Sequence, residues 1–176
     1  MNFTAKNLLL YAVTDRAWVG RQTLLEQIED ALRGGVTLVQ LREKDLPQPD
    51  FIREAAPATA LCHRYGVPLI VNDSLEVALK SGADGVHGGI ADQPGAEIRR
   101  RVGKGFLIGA TAKTVEQARA AQAAGADYLG VGAVFPSPTK KNAIRITTGQ
   151  LGEICGSVSI PCVAIGGISR ENLPAL

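Results

Sequence analysis

Four times in this chain a glycine stands just ahead of a short apolar run: GGVTLVQ, YGVPLIV, SGADGVH and AGADYLGVG. Glycine reaches the left-handed backbone that closes a helix without steric cost. A chain that repeats helix end, glycine and strand is confined to folds built from alternating β and α units. Seven such runs are present: Leu8 to Val13, Thr37 to Leu41, Pro68 to Val71, Gly85 to His87, Phe106 to Ala110, Tyr128 to Val134 and Pro161 to Ile165. They are mostly apolar throughout rather than alternating, which fits strands of a parallel sheet covered on both faces.

The segments between them carry helix punctuation. Thr23 with Glu26 makes a capping-box pattern, Leu24, Leu25, Ile28, Ala31 and Leu32 form one apolar face, and Gly34-Gly35 ends it. Thr114 with Gln117 repeats the device ahead of Ala118, Ala121 and Ala124. Ser74 is placed to cap a short helix ending at Gly82, and Ser169 opens another pattern near the C-terminus. Asp50 to Tyr65 is helical in pattern, and Pro57 within it predicts a kink or a late start. Seven βα units leave two architectures, a (β/α) barrel or a doubly wound sheet. No G-x-G-x-x-G follows the first run, which weighs against a dinucleotide-binding sheet. The expected fold is a (β/α)8 TIM barrel forming one domain over residues 1–176.

Charge narrows the partners. Nineteen Lys and Arg against seventeen Asp and Glu give a net charge of +2, too little to hold nucleic acid or an anionic membrane. Cys62, Cys155 and Cys162 are far apart, lack zinc or C-x-x-C spacing and sit in apolar contexts, so they read as reduced core thiols. No window is apolar enough to span a bilayer, and residues 1–10 have no signal-peptide pattern. The expectation is a cytoplasmic protein acting on small molecules.

Polar residues gather just after the apolar runs: Asp15, Arg42-Glu43-Lys44, Asn72-Asp73, Thr111, Ser137 to Lys141 and Gly166-Gly167. In a barrel all of these lie at the C-terminal face, where such folds build their active sites. Arg42, Lys44 and Lys140, with the backbone of Gly166-Gly167, suit phosphate oxygens, whereas Lys141 reads as a solvated surface lysine. Pro136 and Pro138 would stiffen the loop, and Ser137 and Thr139 would donate hydroxyl hydrogen bonds. Asp73 and Asp92 follow adjacent strands and suit a magnesium ion, which accepts one or two carboxylates plus phosphate oxygens and water. Glu43 has Arg42 and Lys44 as neighbours to pair with, and Asp15 and Asp92 are each also readable as cap or turn residues. His87 is as readable as a hydrogen-bonded structural residue as a substrate contact; His63 reads as a surface residue. Neither has a Ser or Cys partner for nucleophilic catalysis. Gln40 and Thr111 are polar ends of apolar runs, and a polar group inside a barrel needs a partner that substrate can supply. The residues alone therefore point to a metal-assisted enzyme of phosphorylated or diphosphorylated small molecules.

VQLREK (39–44), VND (71–73), GADGVHGG (82–89), GATAKT (109–114), GADYLGVGAVFPSPTKK (125–141) and VAIGGI (163–168) resemble thiamine phosphate synthase, in that family's order and across almost the whole chain. The resemblance implies a transferase that joins a pyrimidine methyl diphosphate to a thiazole phosphate, giving thiamine phosphate and diphosphate by a dissociative, Mg2+-dependent step. It implies that Gln40, Leu41, Arg42, Glu43 and Lys44 bind the pyrimidine diphosphate, with Arg42 and Lys44 on its phosphates, and that Asn72 contacts the diphosphate. Asp73 and Asp92 would ligate magnesium, and Lys140 would reach the diphosphate. Thr111 stands where the family usually has serine; Ser137, Pro138 and Thr139 would hold the thiazole phosphate, with a backbone contact from Gly166 or Gly167. The family also continues through an eighth strand and helix, so the chain is expected to be C-terminally incomplete, with open edges that leave a homo-oligomer open. Three rivals stand beside this reading. A thiazole tautomerase-like paralogue would use a histidine base around the fifth strand, against which Lys113 argues; a non-catalytic barrel would bind phosphate ligands without turnover; and another phosphosugar barrel is disfavoured by the paired Asn72-Asp73 and the Ser137 to Lys140 loop.

Overall fold

The computed structural model describes residues 3–18, 20, 22–89, 95–136 and 144–176. Seven parallel strands pair in chain order in one curving sheet: β1 (Tyr11–Val13), β2 (Leu38–Leu41), β3 (Leu69–Asn72), β4 (Gly85–Gly88), β5 (Leu107–Ala112), β6 (Tyr128–Gly132) and β7 (Cys162–Ile165). Six α-helices alternate with them: α1 (Leu24–Arg33), α2 (Gln48–Arg64), α3 (Leu75–Ser81), α4 (Gly95–Val102), α5 (Val115–Ala123) and α6 (Thr148–Gly156). This is the TIM-type α/β barrel expected from the alternation, nearly closed by its seven strands.

The strands are buried on both faces, as their unbroken apolar character requires. On the outer face Val39, Leu41, Leu69, Val71, Val86 and Ile108 pack against Ile28, Leu32, Phe51 and Leu61 of the helices. The inner face holds a separate cluster of Leu8, Leu38, Ile70 and Tyr128, with Phe3, Leu107 and Val163 against it. Each fully buried aliphatic side chain there contributes about 1.5–3 kcal/mol relative to exposure.

Local punctuation acts as the residue types dictate. The Thr23 hydroxyl accepts from the Glu26 N–H at 3.3 Å, and the Glu26 carboxylate accepts the Thr23 N–H in return. Ser74 and Thr114 cap α3 and α5, and Gly82 closes α3 in the left-handed region at φ +71°.

Three expectations need correction. The first apolar run divides: Ala5–Leu8 is a 3-10 helix, and the strand starts only at Tyr11. Leu8 turns inward as a plug of the inner cluster, while Leu9 and Leu10 stay exposed. Pro57 does not delay α2, which starts two residues earlier than expected, at Gln48, and runs through the proline. Pro57 lies on the exposed side, so the Arg53 carbonyl left without its N–H faces solvent, where water satisfies it at low cost. Near the C-terminus, Ser169 does not open an α-helix; its N–H donates to Asn172 and a 3-10 turn follows at Leu173–Ala175.

Candidate active site

Every described residue of the expected site sits at or just beyond the carboxyl end of a strand, so one face of the barrel carries them all. Gln40 is on β2, and Arg42, Glu43 and Lys44 follow it. Asn72 ends β3 with Asp73 next, Thr111 lies near the end of β5, and Gly166-Gly167 follow β7. Asp92 and Ser137, Pro138, Thr139, Lys140 and Lys141 lie outside the described residues.

The β2 end is held from two sides. The Arg42 N–H donates to the Thr14 hydroxyl at 2.9 Å, which fastens the loop to the end of β1. Glu43 pairs with neither Arg42 nor Lys44, the two partners its sequence neighbourhood offered. Its side chain is 4% exposed, and Arg16 Nε donates to its Oε2 at 2.8 Å. Arg16 Nη2 also donates to Glu54 on α2 at 2.7 Å. The arginine thus ties the β1 loop, the β2 loop and α2 together, and Glu43 turns inward while Lys44 faces solvent. Leu41 is fully buried toward the helices, so only its backbone is available to a ligand.

Glu54 bears the cost of this clustering. Burial raises its carboxyl above the ordinary 4.5, the nearby Glu43 charge adds to the rise, and Arg16 opposes both. A carboxyl raised in the fold favours folding below its unfolded value and loses that contribution as pH rises through its folded value. Stability of Glu54→Gln relative to wild type is therefore expected to improve as pH rises from below 4.5, measured by denaturant unfolding across a pH series. A difference that does not change with pH would show that Glu54 titrates normally.

At β3, Asp73 adopts φ +59°, the only non-glycine positive φ among the described residues. Its N–H donates to the His87 carbonyl at 2.8 Å, and Asn72 Nδ2 donates to its Oδ2 at 2.5 Å. Asp tolerates the left-handed region better than most residues, but the conformation is still uncommon and marks functional loops. Held this way, the exposed carboxylate stands at the barrel mouth. Among the described residues no cluster of three His, Cys, Asp or Glu forms a metal cage. One exposed carboxylate beside an amide nevertheless fits magnesium, which keeps waters and takes the rest of its ligands from substrate phosphate.

Gly166 and Gly167 are required first by the chain itself. Both have positive φ, at +99° and +64°, and a Cβ at either would collide with Ala133 or with the Phe135–Pro136 backbone. The Phe135 N–H donates to the Gly166 carbonyl at 2.8 Å, so the β7 loop braces the start of the 133–136 segment.

Inside the barrel the polar side chains find each other. Gln40 Nε2 donates to Tyr11 Oη at 2.5 Å, and Tyr11 and Tyr128 share a hydrogen bond at 2.8 Å. Tyr128 Oη lies 3.1 Å from His87 Nδ1, and His87 Nε2 lies 3.2 Å from Thr111 Oγ1. Burial raises both phenols well above their ordinary range, so they remain neutral. Sequence reading singled out Gln40, His87 and Thr111 but missed Tyr11 and Tyr128. The available signal was a phenol within an apolar run, since a buried Tyr O–H seeks a partner. Arg16, Thr14 and Glu54 left no comparable local signal. Burial also pushes the Cys62 and Cys162 thiols up to about 12, so neither offers a thiolate nucleophile.

Beneath the mouth a cavity of about 430 Å3 extends between β4, β5, α4 and α5, with Asp73 and Thr111 in its lining and Ile98, Ile108 and Ala121 in its apolar part. Its largely apolar lining is unsuited to a diphosphate, which the charged strand ends suit better.

The family model described as thiamine monophosphate synthase matches residues 10–176. A thiamine-phosphate synthase of Ruminiclostridium cellulolyticum is 47% identical over 163 residues, 93% of this chain and 78% of that protein. One from Methanobrevibacter smithii is 43% identical over 166 residues, covering 94% and 79%. Among solved structures, thiamine phosphate pyrophosphorylase from Pyrococcus furiosus superposes with a TM-score of 0.87 at 36% identity, covering 96% of this chain and 79% of that one. N-acetylmannosamine-6-phosphate 2-epimerase from Clostridium perfringens, at 13% identity and a TM-score of 0.67, shares the barrel alone. No helix among the described residues is long and apolar enough to cross a membrane.

Proposed function

The chain belongs to the thiamine monophosphate synthase family, and on that premise we propose how its residues carry out thiamine phosphate synthesis. In this reaction the C–O bond between the pyrimidine methylene and diphosphate breaks, and the thiazole nitrogen forms the new C–N bond. Diphosphate leaves with the electron pair. The observation that carries the assignment of roles is positional: Gln40, Arg42, Asn72, Asp73 and Thr111 come from three strands and meet at one end of the sheet.

Arg42 and Lys44 bind the leaving diphosphate. One pair of unit charges about 4 Å apart is worth roughly 4 kcal/mol at an effective dielectric near 20. Pre-placed cations lower the barrier because the charge they meet grows as the bond breaks. The Arg16–Glu43 ion pair keeps the loop between the two cations in place, so Glu43 acts by positioning rather than by touching phosphate. Asn72 binds diphosphate oxygen and orients Asp73. Asp73, together with Asp92, holds magnesium, which when bound neutralises the departing oxygens. Lys140 reaches the same diphosphate, and Ser137, Pro138, Thr139 and the backbone of Gly166 or Gly167 hold the thiazole phosphate. Gln40 and Thr111 contact the pyrimidine. No side chain needs to act as nucleophile.

The deciding assay combines the protein, pyrimidine methyl diphosphate, thiazole phosphate and magnesium, and detects thiamine phosphate by chromatography. Product that disappears with EDTA supports the reading. Tight binding of both substrates without product would favour a binding-only barrel, and turnover unchanged by EDTA would remove the metal from the account.

A further inference from the structure

The interior hydrogen bonds form one continuous line across the barrel, Gln40 to Tyr11 to Tyr128 to His87 to Thr111, drawn from β2, β1, β6, β4 and β5. Its ends are two residues assigned above to the pyrimidine; its middle is three residues with no assigned role. The strands make room for it. A Cβ at Gly109 would occupy the space of Tyr128 Oη and His87 Nδ1, and one at Gly130 would come within 3.2 Å of His87 Cε1.

The line has a direction. The Gln40 amide turns its nitrogen, a pure donor, toward Tyr11. Tyr11 then accepts from Gln40 and donates to Tyr128, Tyr128 donates to His87 Nδ1, and His87 donates from Nε2 to Thr111 Oγ1. Each tyrosine hydroxyl then accepts once and donates once along the line, as a buried polar network requires. In the opposite direction the Gln40 amide would have to be turned over and His87 would carry its proton on Nδ1.

We propose that Tyr11 and Tyr128 are positioning residues that impose this direction, so that Gln40 presents its carbonyl oxygen, and Thr111 its hydroxyl hydrogen, to the barrel mouth. The ligand this mouth recognises offers a hydrogen-bond donor to Gln40 and an acceptor to Thr111, as a heteroaromatic ring bearing an amino group does. The ligand statement rests on the function proposed above; the direction of the line does not, and is measurable without substrate. Tyr11 and Tyr128 set the orientation of groups that touch the ring and do not touch the reacting atoms.

Only two histidines are present, His63 and His87, so imidazole 15N spectra of the substrate-free protein at neutral pH are simple to assign with a His63→Gln variant. The expected result is His87 with its proton on Nε2 and Nδ1 as acceptor. A proton on Nδ1 in the wild-type protein overturns the proposal, and this arm needs no mutation of the line. Tyr11→Phe removes one hydroxyl that has no contact with the imidazole, yet is expected to shift His87 toward a mixture of tautomers, as Tyr128→Phe does. An unchanged His87 spectrum in a folded Tyr11→Phe variant would show that the bonds are local and not a directed line. In the substrate assay each variant is expected to lower kcat/KM for the pyrimidine diphosphate about tenfold, the size of one buried neutral hydrogen bond. KM for the thiazole phosphate should remain within about twofold of wild type. Equal losses for both substrates would mark a general structural defect and overturn the positioning role.

Discussion

Asp73→Asn is expected to lower turnover by about 10²–10³-fold at saturating magnesium, the range seen when one group stabilising transition-state charge is removed. Asparagine is the informative replacement. Asp73 sits at φ +59°, where asparagine is tolerated nearly as well as aspartate and alanine is strained. Alanine would add a backbone cost to the loss of charge, while asparagine keeps the side chain's shape, removes the charge and turns one acceptor oxygen into a donor. The side-chain oxygen that accepts from Asn72 also survives in the variant. The unfolding midpoint is therefore expected to stay within a few degrees of wild type while activity falls and the magnesium concentration for half-maximal rate rises. Steady-state kinetics over a magnesium titration, beside thermal unfolding, separates the two effects. Wild-type activity in Asp73→Asn would remove this residue from metal binding.

The second large effect is on stability. Gly109→Ala adds one methyl group to the inner face of β5, where Tyr128 Cζ and Oη and His87 Nδ1 already fill the space. Overpacking of this kind costs about 1–3 kcal/mol, and in a domain of this size 2–3 kcal/mol lowers Tm by roughly 5–10 °C. The loss is expected at the upper end because both neighbours are buried and hydrogen-bonded to each other. Gly130→Ala is the graded control: its added Cβ meets His87 only at 3.2 Å, so a shift of a few tenths of an ångström suffices and the loss should be smaller. Adding Tyr128→Phe to Gly109→Ala removes one of the colliding atoms and is expected to return part of the Tm. Calorimetry on the four proteins tests this, and an unchanged Tm in Gly109→Ala would mean that the interior is looser than the contacts imply.

Much of the barrel was legible because its signals are local. Thr23, Ser74 and Thr114 cap helices through hydrogen bonds spanning three residues, and the apolar runs mark strands covered on both faces. The same locality explains the misses. Leu8 to Val13 reads as one apolar run, but Leu8 serves the inner cluster from a 3-10 turn and the sheet begins at Tyr11. Pro57 disfavours a helix locally and is accepted because its side of α2 faces solvent.

The candidate site divides in the same way. Arg42, Asn72, Asp73 and Thr111 were identifiable by place, as polar residues at the ends of apolar runs, since parallel strands joined by helices bring all their carboxyl ends to one face. The partner of Glu43 was not: Arg16 lies 27 residues away, and nothing in LREK favours it over the adjacent Arg42 and Lys44. The line from Gln40 to Thr111 was equally hidden, because its 2.8 Å bond joins Tyr11 and Tyr128 across 117 residues of chain. The sequence by itself determined the alternating units, the strand ends that form the candidate site and the family. Only the tertiary structure decided which buried polar groups pair and in what direction they donate. Hydrophobic period and capping act within a few residues, whereas a buried donor takes whichever acceptor the closed barrel brings within about 3 Å.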